Sequence, residues 1–331
     1  MMGRTKNSRG GSEPRPTGAG EAGDALTAET FERLRPRLFG IAYRMLGSAS
    51  DAEDIVQDAY VRCKRALDEG VTIGSLRAYL ATAVTRLSID HLRSARVRRE
   101  QYVGMWLPEP LVGEIDESDG AGATWEAESL SMAFLLLLER LGPAERAAFL
   151  LHEVFDYGYD EISRILGKSE ANCRQLVARA RRRVRTDRPR YDATPQQRGA
   201  LAARFFDCVQ SGDLCNLVKL LADDVVAYGD GGGKAPQWSR PVSGVVPVGR
   251  LFAGLGRQIA SRGLQLEPCQ VNGQPGAIVR DGQGRLVNVL ALEIDAVAVR
   301  TIRSVINPDK LRHLGPVADI WALLGRTTPG G

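Results

Sequence analysis

The chain has 331 residues, 44% of them apolar and 25% charged, the balance of a soluble globular protein with two or three domains. Its formal net charge of +4 is too mild to mark a nucleic-acid binder until the charges are located along the chain. Cys63, Cys173, Cys208, Cys215 and Cys269 form no CxxC pair and only three histidines accompany them, which argues against a zinc site or a disulfide framework and fits a reducing cytoplasm.

Residues 1–26, rich in Gly, Ser, Pro, Arg and Glu, are expected to form a disordered tail; they lack the apolar stretch of a signal peptide. No later apolar run is long enough to span a bilayer, so a cytoplasmic location without membrane contact is expected. A helical block follows over 27–101. Phe31, Leu34, Leu38, Ile41 and Met45 recur at helical spacing, and Gly47 breaks that helix. Ser50 with Glu53 reads as a capping box opening a second helix with Ile55, Ala59, Cys63 and Leu67 inward. Ser75 caps a third, with Leu76, Leu80, Ala83 and Leu87 inward.

From Gln101 to Glu139 there is no Lys or Arg but eight acidic residues, with prolines and glycines in its first half. This reads as an acidic, partly extended linker over 102–127, in which Trp106 and Leu107 stand out as apolar. A second helical block covers 128–190. Gly142-Pro143 starts one helix, Tyr159 to Leu166 forms a short one ended by Gly167, and Ser169 caps a longer one running into Arg181-Arg182-Arg183. Helix, glycine turn, helix is the helix-turn-helix pattern. From 195 to 315 one or two helices precede short apolar runs separated by turns, among them Asn272-Gly273 and Asp281-Gly282. That part is expected to be an α+β domain with an antiparallel sheet, followed by a C-terminal tail over 316–331.

Three stretches carry chemistry. In Asp51-Ala-Glu-Asp-Ile-Val-Gln-Asp, the carboxylates of Asp51, Asp54 and Asp58 share a helix face opposite the apolar stripe. On charge alone, a solvated acidic face with carboxylates favoured by the helix N-terminus is the better explanation. Arg86, Arg93 and Arg96 share one helix face, followed by Arg98 and Arg99, an arrangement suited to phosphates or to a solvated basic surface. Between Arg164 and Arg190 ten basic residues face two acidic ones, and Arg174, Gln175, Arg179 and Arg182 lie opposite the buried stripe of the helix after Ser169. There Arg can read guanine and Gln adenine in a major groove.

With these motifs in order, the chain resembles the extracytoplasmic-function (ECF) sigma factors, which keep two regions, called 2 and 4. DAEDIVQDAY is similar to the core-binding helix of region 2. The resemblance implies that Asp51, Glu53, Asp54, Gln57 and Asp58 face the clamp of the largest RNA polymerase subunits. SLRAYLATAVTRLSIDHLRSARVRRE resembles the part of region 2 that melts and reads the −10 element, which implies roles for Tyr79, Arg86, Arg93, Arg96, Arg98 and Arg99. LGPAERAAFLLHEVFDYGYDEISRILGKSEANCRQLVARARRRV resembles region 4, which reads the −35 element. This implies that Ser169, Asn172, Arg174, Gln175, Arg179 and Arg182 lie at that groove.

The last third resembles a SnoaL-like (NTF2-like) cone, an extension carried by one subgroup of these factors. Its marks are Trp106-Leu107-Pro108-Glu109-Pro110, Asp230-Gly231-Gly232-Gly233-Lys234 and Asn307-Pro308-Asp309-Lys310-Leu311. The resemblance implies a chain mainly α in its first two thirds, then an α+β cone that packs on the sigma core through these motifs and regulates it in cis. Read without it, Asp230–Lys234 is a flexible turn, since it lacks phosphate-loop spacing. The cone has no histidine before His313, so no catalysis, cofactor or metal is expected; any small ligand of the cone is unknown. Two alternatives stay open: a helix-turn-helix regulator acting without polymerase, and a sensor or enzyme built on the cone.

Overall fold

The computed structural model describes residues 26–100, 102–113, 129–187 and 193–325, with backbone alone for 95–100 and 185–187. Three helices open it: α1 (Ala28–Leu46), α2 (Ala49–Asp68) and α3 (Leu76–Glu100). Thr27 caps α1, and Gly47 closes it in the left-handed conformation at φ 69°. The N-cap of α2 is Ser48, not Ser50: Ser48 has extended backbone and its Oγ accepts from the Asp51 amide at 3.1 Å. Ser50 is already inside the first turn, where its hydroxyl donates to the Glu109 carboxylate at 3.2 Å, so the expected Ser50–Glu53 box does not form.

Four helices form the second module: α4 (Met132–Leu138), α5 (Pro143–Glu153), α6 (Tyr159–Leu166) and α7 (Glu170–Asp187). Gly167, at φ 62°, makes the tight turn between α6 and α7 that the helix-turn-helix pattern requires. The two modules are not separate bodies. Tyr43, Leu80, Leu138 and Leu150, drawn from both, are fully buried in one hydrophobic core. The amphipathic stripes of α1 and α3 are wider than a three-helix bundle needs, and the helix-turn-helix covers the remainder.

The last part comprises α8 (Pro195–Ser211), α9 (Leu214–Lys219), β1 (Leu221–Asp230), β2 (Val242–Ser243), α10 (Val245–Ser261), β3 (Gln265–Val271), β4 (Gln274–Arg280), β5 (Leu286–Ile294), β6 (Val299–Val305) and a final turn of helix, α11 (Ile320–Leu323). The strand order is β2-β1-β6-β5-β4-β3. The sheet is mixed rather than antiparallel, because β1 and β6 pair in parallel once the long excursion through β2 to β5 returns the chain beside its start.

All nine residues of β5 are buried, since both faces of the sheet are covered. Leu290, Leu292 and Ile294 pack under α8 and α10. Val289 and Ala291 turn the other way, against Leu107 of the linker and Met132 of α4. The domain also runs past 315: Val317 bridges Leu286, and Ala318, Ile320 and Leu323 pack on the helix-covered core. Residues 316–325 therefore belong to the cone and are not a tail.

Candidate functional site

Residues 102–113 form a strap laid between α1 and α2 on one side and the cone on the other. Asp230, at the end of β1, is fully buried, with its carboxylate turned to the strap. The carboxylate accepts from Tyr102 Oη at 2.5 Å, from the Leu107 amide at 2.8 Å and from Lys310 Nζ at 2.7 Å. Lys310 also donates to the Leu107 carbonyl, and its ammonium lies 4.3 Å from the Trp106 ring centroid and 4.8 Å from that of Tyr102. Asn307 donates to Tyr102 Oη at 2.8 Å. Burial first, then the neighbouring Asp230 charge, holds the Tyr102 hydroxyl well above the ordinary phenol range. Lys234 pairs with Asp309. Gly232, at φ 58°, lies so close to Asn307 and Tyr102 that a side chain there would collide with both.

Glu109 works on the opposite side of the strap. Its carboxylate accepts from the Ala49 amide at 2.8 Å, the Ser50 amide at 3.0 Å and the Ser48 hydroxyl at 2.9 Å. It thus supplies a negative charge to the N-terminus of α2, where unpaired amides and the helix dipole favour one. His313 contacts the Pro110 carbonyl through Nε2 at 2.7 Å. Tyr43 of α1 donates to the Glu109 carbonyl at 2.7 Å and accepts from Asn272 Nδ2 at 2.6 Å. Asn272 sits in the tight turn of the β3–β4 hairpin at φ 52°, and its amide also meets Leu111 and Leu130. Sequence reasoning found the three motifs but missed Tyr43, Tyr102, Asn272 and Ser48. The Asn-Gly dipeptide signalled only its turn, and Tyr43 hid in an apolar stripe.

On α2, the structure divides the acidic face. Glu53 pairs with Arg35 at 2.7 Å and Asp51 lies 3.4 Å from His91, so both serve internal contacts, while Asp54, Gln57 and Asp58 are exposed. On α3, Tyr79 is half-buried against the shared core and Arg93 pairs with Asp90. Arg86 donates to the Ile165 carbonyl at 2.9 Å and the Arg164 carbonyl at 3.1 Å, at the C-terminal end of α6. It therefore joins the two modules here instead of presenting a free cation. The side chains of Arg96, Arg98 and Arg99 lie outside the described residues.

On α7, Ser169 caps the helix through the Asn172 amide, and Asn172, Arg174, Gln175, Arg179 and Arg182 are all exposed. Part of the basic surface is already paired: Arg174 with Glu170, Arg179 and Arg183 with Glu145, and Arg181 with Glu153. Arg174 also lies 5.1 Å from the Tyr159 ring centroid, which fixes its guanidinium at the start of the helix.

The Sigma-70 region 2 family model matches residues 30–98, and the Sigma-70, region 4 model matches residues 131–184. Helical modules of these two kinds, in this order, define a sigma factor, the class of subunit that gives RNA polymerase its promoters. The ECF RNA polymerase sigma factor SigJ of Mycobacterium tuberculosis is 39% identical over 294 residues, covering 86% of this chain and 93% of its own. The probable ECF RNA polymerase sigma factor SigI of the same species is 33% identical over 288 residues, covering 85% and 93%. The crystal structure of SigJ matches with a TM-score of 0.68 at 35% identity, over 88% of this chain and 100% of that one. The chain belongs to the extracytoplasmic-function sigma factor family.

Proposed function

We propose that this sigma factor docks on the clamp of core polymerase through the exposed part of the α2 face, Asp54, Gln57 and Asp58. Asp51 and Glu53 act indirectly, by fixing α2 against α3 and α1. In α7, Arg174 and Gln175 read −35 base edges, while Asn172, Arg179 and Arg182 meet the backbone phosphates. Tyr79, Arg93, Arg96, Arg98 and Arg99 handle the −10 strands, and Arg86 joins them once it leaves α6. The cone over 195–325 performs no chemistry and regulates in cis through the strap.

The observation that carries this reading is the path of the strap. One short segment, Tyr102 to Val112, caps the polymerase-facing helix with Glu109 and is itself clamped by Asp230 and Lys310 of the cone. A change in the cone therefore reaches the N-terminus of α2 through continuous contacts.

The test is in vitro transcription with purified core polymerase. Charge reversal at Asp54 and Asp58 is expected to lower core affinity at least tenfold with the fold intact. Deletion of 195–331 is expected to alter promoter output. Unchanged affinity would remove the docking assignment, and unchanged output would make the cone a passenger. Tight, sequence-specific DNA binding by the free chain would favour the regulator that acts without polymerase.

A further inference from the structure

The strap-facing side of the sheet does not close completely against the helical core. Where the strap and α4 lie over β1, β5 and β6, they leave a crevice of about 350 Å³. Met105, Trp106 and Leu107 of the strap form one wall, and Leu136 and Leu137 of α4 form another. The floor is the sheet itself, with Tyr228, Glu293 and Arg303. Alternation along β5 turns Glu293 to the same side as Val289 and Ala291, opposite to the residues packed under α8 and α10.

The floor carries an ion pair with one edge unused. Arg303 and Tyr228 are register partners across β6 and β1, and the guanidinium lies 5.7 Å from the Tyr228 ring centroid. Arg303 Nη1 donates to Glu293 Oε1. The two side chains are 8% and 7% exposed. Arg303 Nε is buried, and no hydrogen-bond partner meets it among the described residues. In a guanidinium, Nε–H and one terminal nitrogen form a side-on fork that matches the two oxygens of a carboxylate. Glu293 takes the other terminal nitrogen and leaves the Nε of that fork unmet. A buried donor without an acceptor is costly unless something bound supplies one.

The charges around the crevice are unequal. Among the described residues that line it, the charged ones are Arg303, Glu293 and Arg140. The first two cancel, and Arg140 at the exposed rim leaves one positive charge in excess. That balance suits a single negative charge. A dianion would carry its second charge against the Glu293 carboxylate.

We infer that this crevice binds a small monocarboxylate with a flat apolar body. The carboxylate accepts from the Arg303 fork, and the body lies among Trp106, Tyr228 and the two leucines of α4. The volume is in the range of small-molecule pockets. A wholly apolar molecule of the same size would leave Nε unmet. Strap, α4 and sheet must be together to make the walls, so a bound carboxylate holds this assembly and opposes any step that parts α4 from the cone. The site rests on the fold as described, and not on the docking of polymerase.

Calorimetric titration of the full-length chain with 2-naphthoate and with 2-naphthamide, its neutral counterpart of similar shape, tests the site. One naphthoate per chain, bound at least about tenfold tighter than naphthamide, is expected, because hydrogen bonds between charged groups are the stronger ones. Arg303→Lys keeps a cation beside Glu293 but removes the fork, and should weaken naphthoate at least about tenfold. Leu137→Trp, at a half-buried position on α4, fills the crevice and should abolish binding. Circular dichroism and melting temperature report whether each variant keeps the fold. Absence of saturable naphthoate binding, equal binding of naphthamide, or undiminished binding in either folded variant would overturn the site. A chain that ignores naphthoate yet starts transcripts selectively with core polymerase loses the site and keeps the sigma assignment.

Discussion

At the residue scale, the contacts that matter most are charges withheld from water. Asp230 and Lys310 are 0% and 8% exposed at the side chain; Asp230 accepts hydrogen bonds from the strap and Lys310 donates one to it. Removing one member of such a pair strands the other. Asp230→Asn should therefore destabilise the chain by about 3–5 kcal/mol, whereas Asp230→Asn with Lys310→Met should recover much of that loss. Chemical denaturation of Asp230→Asn, Lys310→Met and the double variant measures both quantities, and additive losses would show that the pair is not coupled. Glu109→Gln keeps the shape but removes the negative charge at the α2 N-terminus, and should cost about 1–2 kcal/mol. Tyr102 gives a pH signature. Its hydroxyl is held protonated above the ordinary value of 10.0, so its contribution is complete below that pH and is lost as pH rises toward the folded value. The stability difference between the chain and Tyr102→Phe should thus be constant up to about pH 10 and shrink only above it; a difference that shrinks at neutral pH would remove Tyr102 from the clamp.

At the scale of elements, the helices were legible because their caps and stripes agree. Gly47, Ser75, Gly142-Pro143, Gly167 and Ser169 all mark boundaries where the chain turns. The misreadings share a cause: each depends on a partner distant in sequence. Ser50 looked like a cap because its residue type fits, but Ser48 has the extended backbone, and Glu109 from 60 residues away takes over the first turn. The parallel pairing of β1 with β6 has no local signature. The strap looked like a loose acidic linker because its partners, Asp230, Asn307 and Lys310, come more than 120 residues later. The exposed basic face of α7 was legible, but not the extent to which Glu145 and Glu153 of α5 already pair its arginines. Gln175 carries no such partner among the described residues, and Arg174 sits at the first turn. Alanine at either should reduce transcription from the preferred promoter by an amount equivalent to about 1–3 kcal/mol and relax choice at one base pair. Equal losses across unrelated −35 sequences would reduce them to phosphate contacts.

At the scale of the whole molecule, the elements proposed to face DNA are too close together to meet both promoter elements at once. Elements centred near −35 and −10 are separated by about 25 base pairs, roughly 85 Å along the duplex at 3.4 Å per base pair. Yet α3 and α6 touch through Arg86, and both modules share one core. Tyr43 and the strap further tie region 2 to the cone. The arrangement is thus a closed one, and on the proposed assignment contact with both promoter elements requires region 4 to separate from region 2. Arg86→Ala removes two hydrogen bonds across that seam and should favour the open form, seen as a larger radius of gyration in solution scattering; an unchanged radius would assign the closure to the apolar core alone. The most direct measurement is the distance between spin labels at Asp90 on α3 and Ala178 on α7, taken in the free chain and in a promoter-bound complex with core polymerase. A short distance in the free chain that lengthens by several tens of ångströms in the complex is the predicted result. The same short distance in a complex that initiates transcription would contradict it.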